Sequence, residues 1–287
     1  MTTVSADLVS AREPGLGART GFAVSDAFAM ARRNILRIAR APDQVVFTLI
    51  SPVMFTLLFR YVFGGAVGSG LGTATSYATY LIPGIAVQTA MFSAGTTGFA
   101  LADDLQKGFV DRLRSLPMSR SAVLAGRLIS DTLNNTVQVL ILVAVGFAVG
   151  FRPSSVLGLV LGLVLVLAFA TAISMVYALV GMSVSTVEAV NAATFPIVFP
   201  LTFASSAFVP VNTMPGWLQG FAYHQPVSIV INAMRSLTLG DIPPEARRAL
   251  FDGASTSSLV LQSIAWTVGL GAVFGWLAVN KYKSLSR

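Results

Sequence analysis

Val156-Leu-Gly-Leu-Val-Leu-Gly-Leu-Val-Leu-Val-Leu-Ala-Phe-Ala-Thr-Ala-Ile-Ser-Met-Val-Tyr-Ala-Leu-Val180 is the stretch that decides the fold. It carries no charge and is nearly pure Leu, Val, Ala and Gly. Apolar runs near twenty residues cross about 30 Å of hydrocarbon. Within lipid the backbone must satisfy its own hydrogen bonds, so such a run is a helix. Composition agrees, with 54% hydrophobic and 11% charged residues among 287, less than half the charge of a typical soluble domain.

Five further spans flank this one: about Gln44–Phe63, Tyr77–Leu101, Asn134–Phe151 (with a start as early as Val123), Asn191–Val209 and Leu259–Val279. The first follows Pro42-Asp43, where Asp43 can cap the helix. Pro196 and Pro200 interrupt the fifth. The expected fold is an all-α polytopic membrane protein with six transmembrane helices. Residues 1–21, polar and carrying Pro14, Gly15 and Gly17, read as a disordered tail. Residues 22–287 form the transmembrane domain.

Six spans put both termini on one side. With that side cytoplasmic, the inner segments hold fourteen Lys and Arg and the outer ones five: Arg60, Arg152, Arg235, Arg247 and Arg248. The positive-inside rule then places both termini in the cytoplasm and the chain in the cell membrane. The formal charge of +7 reflects anionic headgroups and topology rather than nucleic acid. Residues 1–43 lack the apolar core of a cleavable signal, so Gln44–Phe63 would serve as an uncleaved insertion signal.

Three segments stand apart from the spans. The first is a polar island over 102–120, which contains Asp103, Asp104, Lys107, Asp111, Arg112 and Arg114. Leu105, Phe109, Leu113 and Leu116 recur on one stripe, as in a short amphipathic helix at the cytoplasmic surface that offers a soluble partner a docking face. The second is Asp26–Arg40, where Arg33, Arg37 and Arg40 oppose Ala27, Phe28, Ala31, Ile35 and Ile38. A basic amphipathic helix of this kind lies in the plane of the inner leaflet. The third is the connection of about fifty residues between spans five and six. Its first half, Val209–Arg235, has apolar pieces too short to span, and they fit re-entrant or interfacial helices with Trp217 and Tyr223 at headgroup depth.

Isolated polar residues within the spans are the remaining candidates. Asp131, Asn135 and Gln138 fall at helical spacing, and Arg127 to Asp131 is an i, i+4 ion-pair spacing. They serve as interhelical glue or line a solute path, and so do Gln88 and Gln262. Ser185 to Glu188 reads as a capping box that opens span five. His224, the single histidine, lacks any metal-ligand spacing. Zero cysteines exclude disulfides and thiolate metal sites. No phosphate-cradling G-x-x-x-x-G-K-[ST] loop is present, and the only lysines are Lys107, Lys281 and Lys283. No cofactor is therefore expected on this chain, and no metal or catalytic residue.

The island, continuing through Ser121-Ala-Val-Leu-Ala-Gly-Arg127, resembles the segment between spans two and three of ABC-2 type transporter permeases, closest to their drug-resistance branch. Val211-Asn-Thr-Met-Pro-Gly-Trp-Leu-Gln219 and Gln225-Pro-Val-Ser228 are similar to that family's external segment after span five. Many members carry Glu before the Lys-Gly pair, where Asp103 and Asp104 stand here. The resemblance covers about residues 25–282. It implies an ATP-driven exporter of a hydrophobic drug, lipid or polyketide-like solute, with a second permease as dimer partner. ATP and Mg would sit on separate ATP-binding subunits docked under the island, used as a coupling helix. The competing readings are an autonomous secondary transporter or channel, which this charge-poor interior serves badly, and a membrane enzyme, for which no nucleophile is found.

Overall fold

Every regular element of the structure, a computed structural model that describes residues 42–68, 76–107 and 120–285, is a helix. In chain order they are α1 (Pro42–Leu58), a π-helical stretch Phe59–Phe63, α2 (Gly64–Gly68), α3 (Tyr77–Gln106), α4 (Arg120–Ala148), α5 (Val156–Gly181) and α6 (Val187–Phe203). A 3-10 turn at Val211–Thr213 precedes α7 (Gly216–His224), α8 (Pro226–Leu239), α9 (Pro244–Phe251) and α10 (Thr256–Leu285). The expected tail over 1–21 and the amphipathic helix with Phe28, Arg33, Ile35, Arg37 and Arg40 lie outside the described residues. So do Phe109, Asp111, Arg112, Leu113, Arg114 and Leu116 of the island.

Among the described residues, four stretches are long and apolar enough to cross a membrane: Tyr77–Gln106, Gly126–Ala148, Val156–Gly181 and Pro244–Tyr282. Leu49–Phe63 and Val187–Phe203, where the first and fifth spans were expected, are shorter apolar helices, as is Pro226–Leu239. α4 shows most directly what surrounds the molecule. Its Asp131, Asn135 and Gln138 are buried, whereas Ile129, Leu133, Val137 and Leu140 are exposed. A helix with its polar stripe inward and its apolar stripe outward has lipid for solvent, the reverse of a surface helix in water.

α3 and α5 form the centre. Every residue from Tyr77 to Met91 of α3 is buried, and 78% of that helix's apolar window is enclosed against 11% for the last span. α3 is thus the core helix and α10 a peripheral one. Lipid tails are as apolar as leucine, so these helices are held by close packing rather than by escape from water. Glycine makes the closeness possible: a Cβ on Gly98 would strike the carbonyl of Tyr177, and one on Gly181 the carbonyl of Gly98. On the other face of α5, Gly158 meets the carbonyl of Leu237 in α8 in the same way.

Several expected boundaries move, each for a local reason. α1 is under way at Pro42, so Asp43 stands in its first turn rather than ahead of it; proline suits a first helical position. The third span ends at Ala148 instead of Phe151 because Gly150 takes φ +100° and lets Phe151 N–H bond back to Gly146 O at 2.8 Å, a glycine-dependent helix stop. The cap of α6 is Thr186, whose hydroxyl accepts from Ala189 N–H at 3.1 Å. The proposed Ser185–Glu188 box is therefore displaced by one residue. Ser185 instead offers its carbonyl to Gln106 Nε2 at 2.7 Å, and Glu188 stands in the first turn, where an acid complements the helix dipole.

The expected fifth span stops at Phe203, six residues short of Val209. The chain then crosses the interior as an irregular turn whose polar groups are met one by one. Ala204 O accepts from Gln225 Nε2 (2.7 Å), Ser206 O from the Tyr80 hydroxyl (2.9 Å), and Phe208 O from the Tyr77 hydroxyl (3.0 Å). Ser206 N–H donates to Ser228 Oγ at 3.1 Å. Irregular backbone is tolerated at membrane depth only with such satisfaction. From here α7 leads back to Gln225, beside Ala204, and α8 leaves again along α5. The Val209–Arg235 segment thus holds a 3-10 turn and two short helices joined at Gln225.

Candidate functional site

A cavity of about 320 Å³ opens between α1, α3, α4 and α6. Its apolar wall is an aromatic row. Phe195, Phe199 and Phe203 recur every fourth residue of α6, their ring centroids 5.0 and 4.3 Å apart. Phe55 of α1 faces Phe203 at 6.4 Å. The row continues out of the cavity through Phe208 to Phe59, 4.4 Å away, and Phe63.

The opposite wall is polar and uncharged: Gln88, Thr89, Ser93 and Thr96 on α3, with Gln138 on α4. Gln138 is 2% exposed. Its amide nitrogen donates to Ser93 Oγ at 3.0 Å, while its Oε1 finds no partner among the described residues; nor does Thr89 Oγ1. A buried polar atom left unpaired costs about 1–3 kcal/mol, and both atoms are closed off from solvent behind the cavity wall.

About two turns along α4 from Gln138 lies a charged pair. Asp131 accepts from Thr97 Oγ1 and from Arg127 Nε at 3.1 Å, and Arg127 also reaches Thr96 O at 3.2 Å. The i, i+4 pair read from the sequence is therefore present, and both members are tied to α3. Asn135, 2% exposed, sits between the ion pair and Gln138 with its Oδ1 unpartnered.

The structure brings Gln88 and Gln138 to one cavity, with Asn135 and Asp131 following on the same face of α4. Gln262 does not join them: it is exposed on α10 and donates to Ser258 Oγ at 3.0 Å. Of the island, Asp103, Asp104 and Leu105 continue α3 to its end, and Lys107 pairs with Asp103 at 2.6 Å on the surface. Leu105 packs against the Leu101, Ala178, Met182 and Tyr282 cluster where α3, α5 and α10 end. His224 Nδ1 lies 2.8 Å from Gly220 O, one turn back along α7. Among the described residues no three His, Cys, Asp or Glu side chains gather as metal ligands would.

Arg235 has a role that the sequence reading did not assign. Counted there among the outer positive charges, it is instead wholly buried on α8. Its guanidinium donates to Tyr80 O (3.1 Å), Asn232 Oδ1 (2.8 Å) and Ser206 O (2.9 Å), and lies 3.6 Å from the Tyr80 ring centroid. A cation here is balanced by carbonyl dipoles and an aromatic face. It pins α8 and the irregular turn to α3. The polar run Ser228, Asn232, Arg235 at four- and three-residue spacing is the signal that marks it in the sequence.

A model of the ABC-2 type transporter family matches residues 26–239, three quarters of the chain. The chain belongs to the ABC-2 type transporter family. It is 31% identical over 284 residues, 99% of its own length and 95% of the relative's, to the daunorubicin resistance ABC transporter permease protein DrrB1 of Streptomyces coeruleorubidus. It is 26% identical over 273 residues, 95% and 93% of the two chains, to the probable doxorubicin resistance ABC transporter permease protein DrrC of Mycobacterium tuberculosis. A putative transport permease, ycf38 of Cyanophora paradoxa, is 24% identical over 217 residues, 75% of each chain. The resemblance read from the two polar segments is borne out. With its four long apolar helices, this ABC-2 family member is a membrane protein. The matched region ends at Leu239, the last residue of α8, and so takes in all four cavity helices and Arg235.

Proposed function

We propose that this chain is the transmembrane permease subunit of an ATP-driven exporter, which moves a hydrophobic solute out of the cytoplasm or the inner leaflet. The observation that carries the reading is the family match over 26–239, joined to near full-length similarity with permease proteins of drug-resistance ABC transporters. In this reading the short apolar helices α1 and α6 join the four long ones as six spans, and both termini face the cytoplasm of the cell membrane. The pair of short helices α7 and α8 is a re-entrant element entering from outside, with exposed Trp217 at headgroup depth. The segment from Asp103 through Leu116 is the coupling helix beneath which an ATP-binding subunit docks. That subunit holds ATP and Mg, and a second permease, identical or related, completes the transporter.

The test is purification of the tagged chain from its native membranes in mild detergent, with identification of stoichiometric partners and assay of ATP hydrolysis. A Walker-motif subunit at about one per permease is the expected companion, as the family organisation implies. Reversing charge at Arg112 and Arg114 should abolish that association without preventing membrane insertion. Undiminished co-purification of the variant would remove the docking assignment. A chain isolated alone would favour an autonomous transporter or channel.

A further inference from the structure

We infer that the C-terminal end of α4 binds an anionic phospholipid, its phosphate held by Arg60 and Arg152 and an acyl chain laid along the exposed face of α4. Such binding needs neither an ATPase nor a transported solute. It uses the outward face of α4 rather than the buried one that carries Gln138.

Two arginines from distant parts of the chain meet at this helix end. Arg60 Nε donates to Val149 O at 3.2 Å, 89 positions away. Arg152 Nη1 donates to Phe147 O at 2.8 Å and to Phe151 O at 2.9 Å. All three acceptors belong to the turn that Gly150 makes as α4 ends. Capping accounts for part of this, because cations suit a helix C-terminus. A helix end, however, offers about half a negative charge, and two guanidiniums leave about one and a half positive charges over. No carboxylate offsets them: among the described residues the ion pairs are Lys107–Asp103 and Arg127–Asp131. Nη1 and Nη2 of Arg60, and Nε and Nη2 of Arg152, find no acceptor among the described residues. Planar forks with donors to spare match the oxygens of a phosphodiester.

The backbone at Arg60 is a second, independent sign. It stands in the π-helical stretch Phe59–Phe63 that follows α1, and its side chain crosses to α4 instead of capping its own helix. Single π turns inside helices are rare and gather at functional sites.

What lies beside the arginines says which anion they suit. Leu133, Val137, Leu140 and Phe147 of α4 are exposed and share one helix face. That apolar stripe runs up to Phe147, whose carbonyl Arg152 holds. An apolar track ending in surplus positive charge fits an amphiphile with its tail on the stripe and a negative head on the arginines. A zwitterionic lipid brings its own cation to the head and leaves the surplus unmatched.

The test places a bimane label on Leu140→Cys in the otherwise cysteine-free chain, about 12 Å along the helix from Ala148. The full chain, with any subunits that accompany it, is put into phosphatidylcholine nanodiscs. These are doped with phosphatidylglycerol or phosphatidylcholine carrying a mid-chain doxyl quencher. Phosphatidylglycerol should reach half-quenching at about a tenfold lower mole fraction, the equivalent of one charge-assisted hydrogen bond. Arg60→Gln with Arg152→Gln should erase that preference. Quenching by phosphatidylcholine should persist in the variant and so report that the labelled face still meets lipid. Arg152→Gln alone, at an exposed position, should narrow the preference. Arg247→Gln with Arg248→Gln, an equal change of charge on α9, should leave it intact.

Equal quenching by the two lipids, a preference that survives loss of both arginines, or its equal loss in the α9 variant would each overturn the inference. So would relief of the preference by millimolar glycerophosphoglycerol, the same head without tails, because the site would then be one for a free anion.

Discussion

Arg235 is buried in the interior with no carboxylate beside it among the described residues, and the consequence is testable side chain by side chain. Arg235→Met should remove three charge-assisted bonds together, to Tyr80 O, Asn232 Oδ1 and Ser206 O, at about 1.5 kcal/mol or more each, although Ser206 O keeps the Tyr80 hydroxyl and Asn232 Oδ1 the Ser206 hydroxyl. Arg235→Lys should rescue little, because an ammonium cannot reproduce the planar fork that reaches three acceptors on different elements. Fluorescence-detected size exclusion after heating would show both variants lost well below the wild-type midpoint; a Lys variant as stable as wild type would contradict this account. From sequence Arg235 looked like a loop charge, because composition treats arginine as a surface residue and Tyr80 lies 155 positions away. Removing it from the outer count sharpens the charge bias to fourteen against four. Gln138, by contrast, was legible from its spacing to Asp131 and Asn135. What spacing withheld was the cavity, although Phe195, Phe199 and Phe203 stood in the sequence at every fourth place.

Between elements, contact is decided by what is missing from a glycine. Gly98→Val should force α3 and α5 apart at the Tyr177 carbonyl and lower the yield of monodisperse protein severalfold. Gly269→Ala on α10, where an added Cβ meets nothing within 4 Å, should be neutral or stabilising by about 0.5–1 kcal/mol. If both glycines tolerate substitution equally, the close seam is not a structural requirement. The capping assignment has a similar internal control: Thr186→Ala should cost about 1 kcal/mol, while Ser185→Ala, which keeps the carbonyl that Gln106 uses, should cost much less. Thermal midpoints of the two variants decide between them. The extent of α5 was readable from hydropathy alone, as was the start of α3, but α3 runs five residues past its expected end at Leu101, into the polar island. The end of α6 was not, because Tyr77, Tyr80, Gln225 and Ser228, which make a turn after Phe203 affordable, come from other parts of the chain.

For the molecule as a whole, the absence of native cysteine makes orientation measurable one residue at a time. A single cysteine at exposed Glu245 should react with a membrane-impermeant maleimide on intact cells, and one at Lys107 only after permeabilisation. The reverse pattern would invert the proposed topology. The enclosure of α3 also has a consequence in time. The innermost helix is among the first made, yet its Tyr80 carbonyl waits for an arginine 155 residues later. At about 5–20 residues per second that interval is about 8–30 s. During it the buried face of α3 must be sheltered by the insertion machinery or by provisional neighbours. Synthesis arrested before Arg235 should therefore leave a membrane-inserted but unclosed chain, a natural target for the cell's proteolytic surveillance.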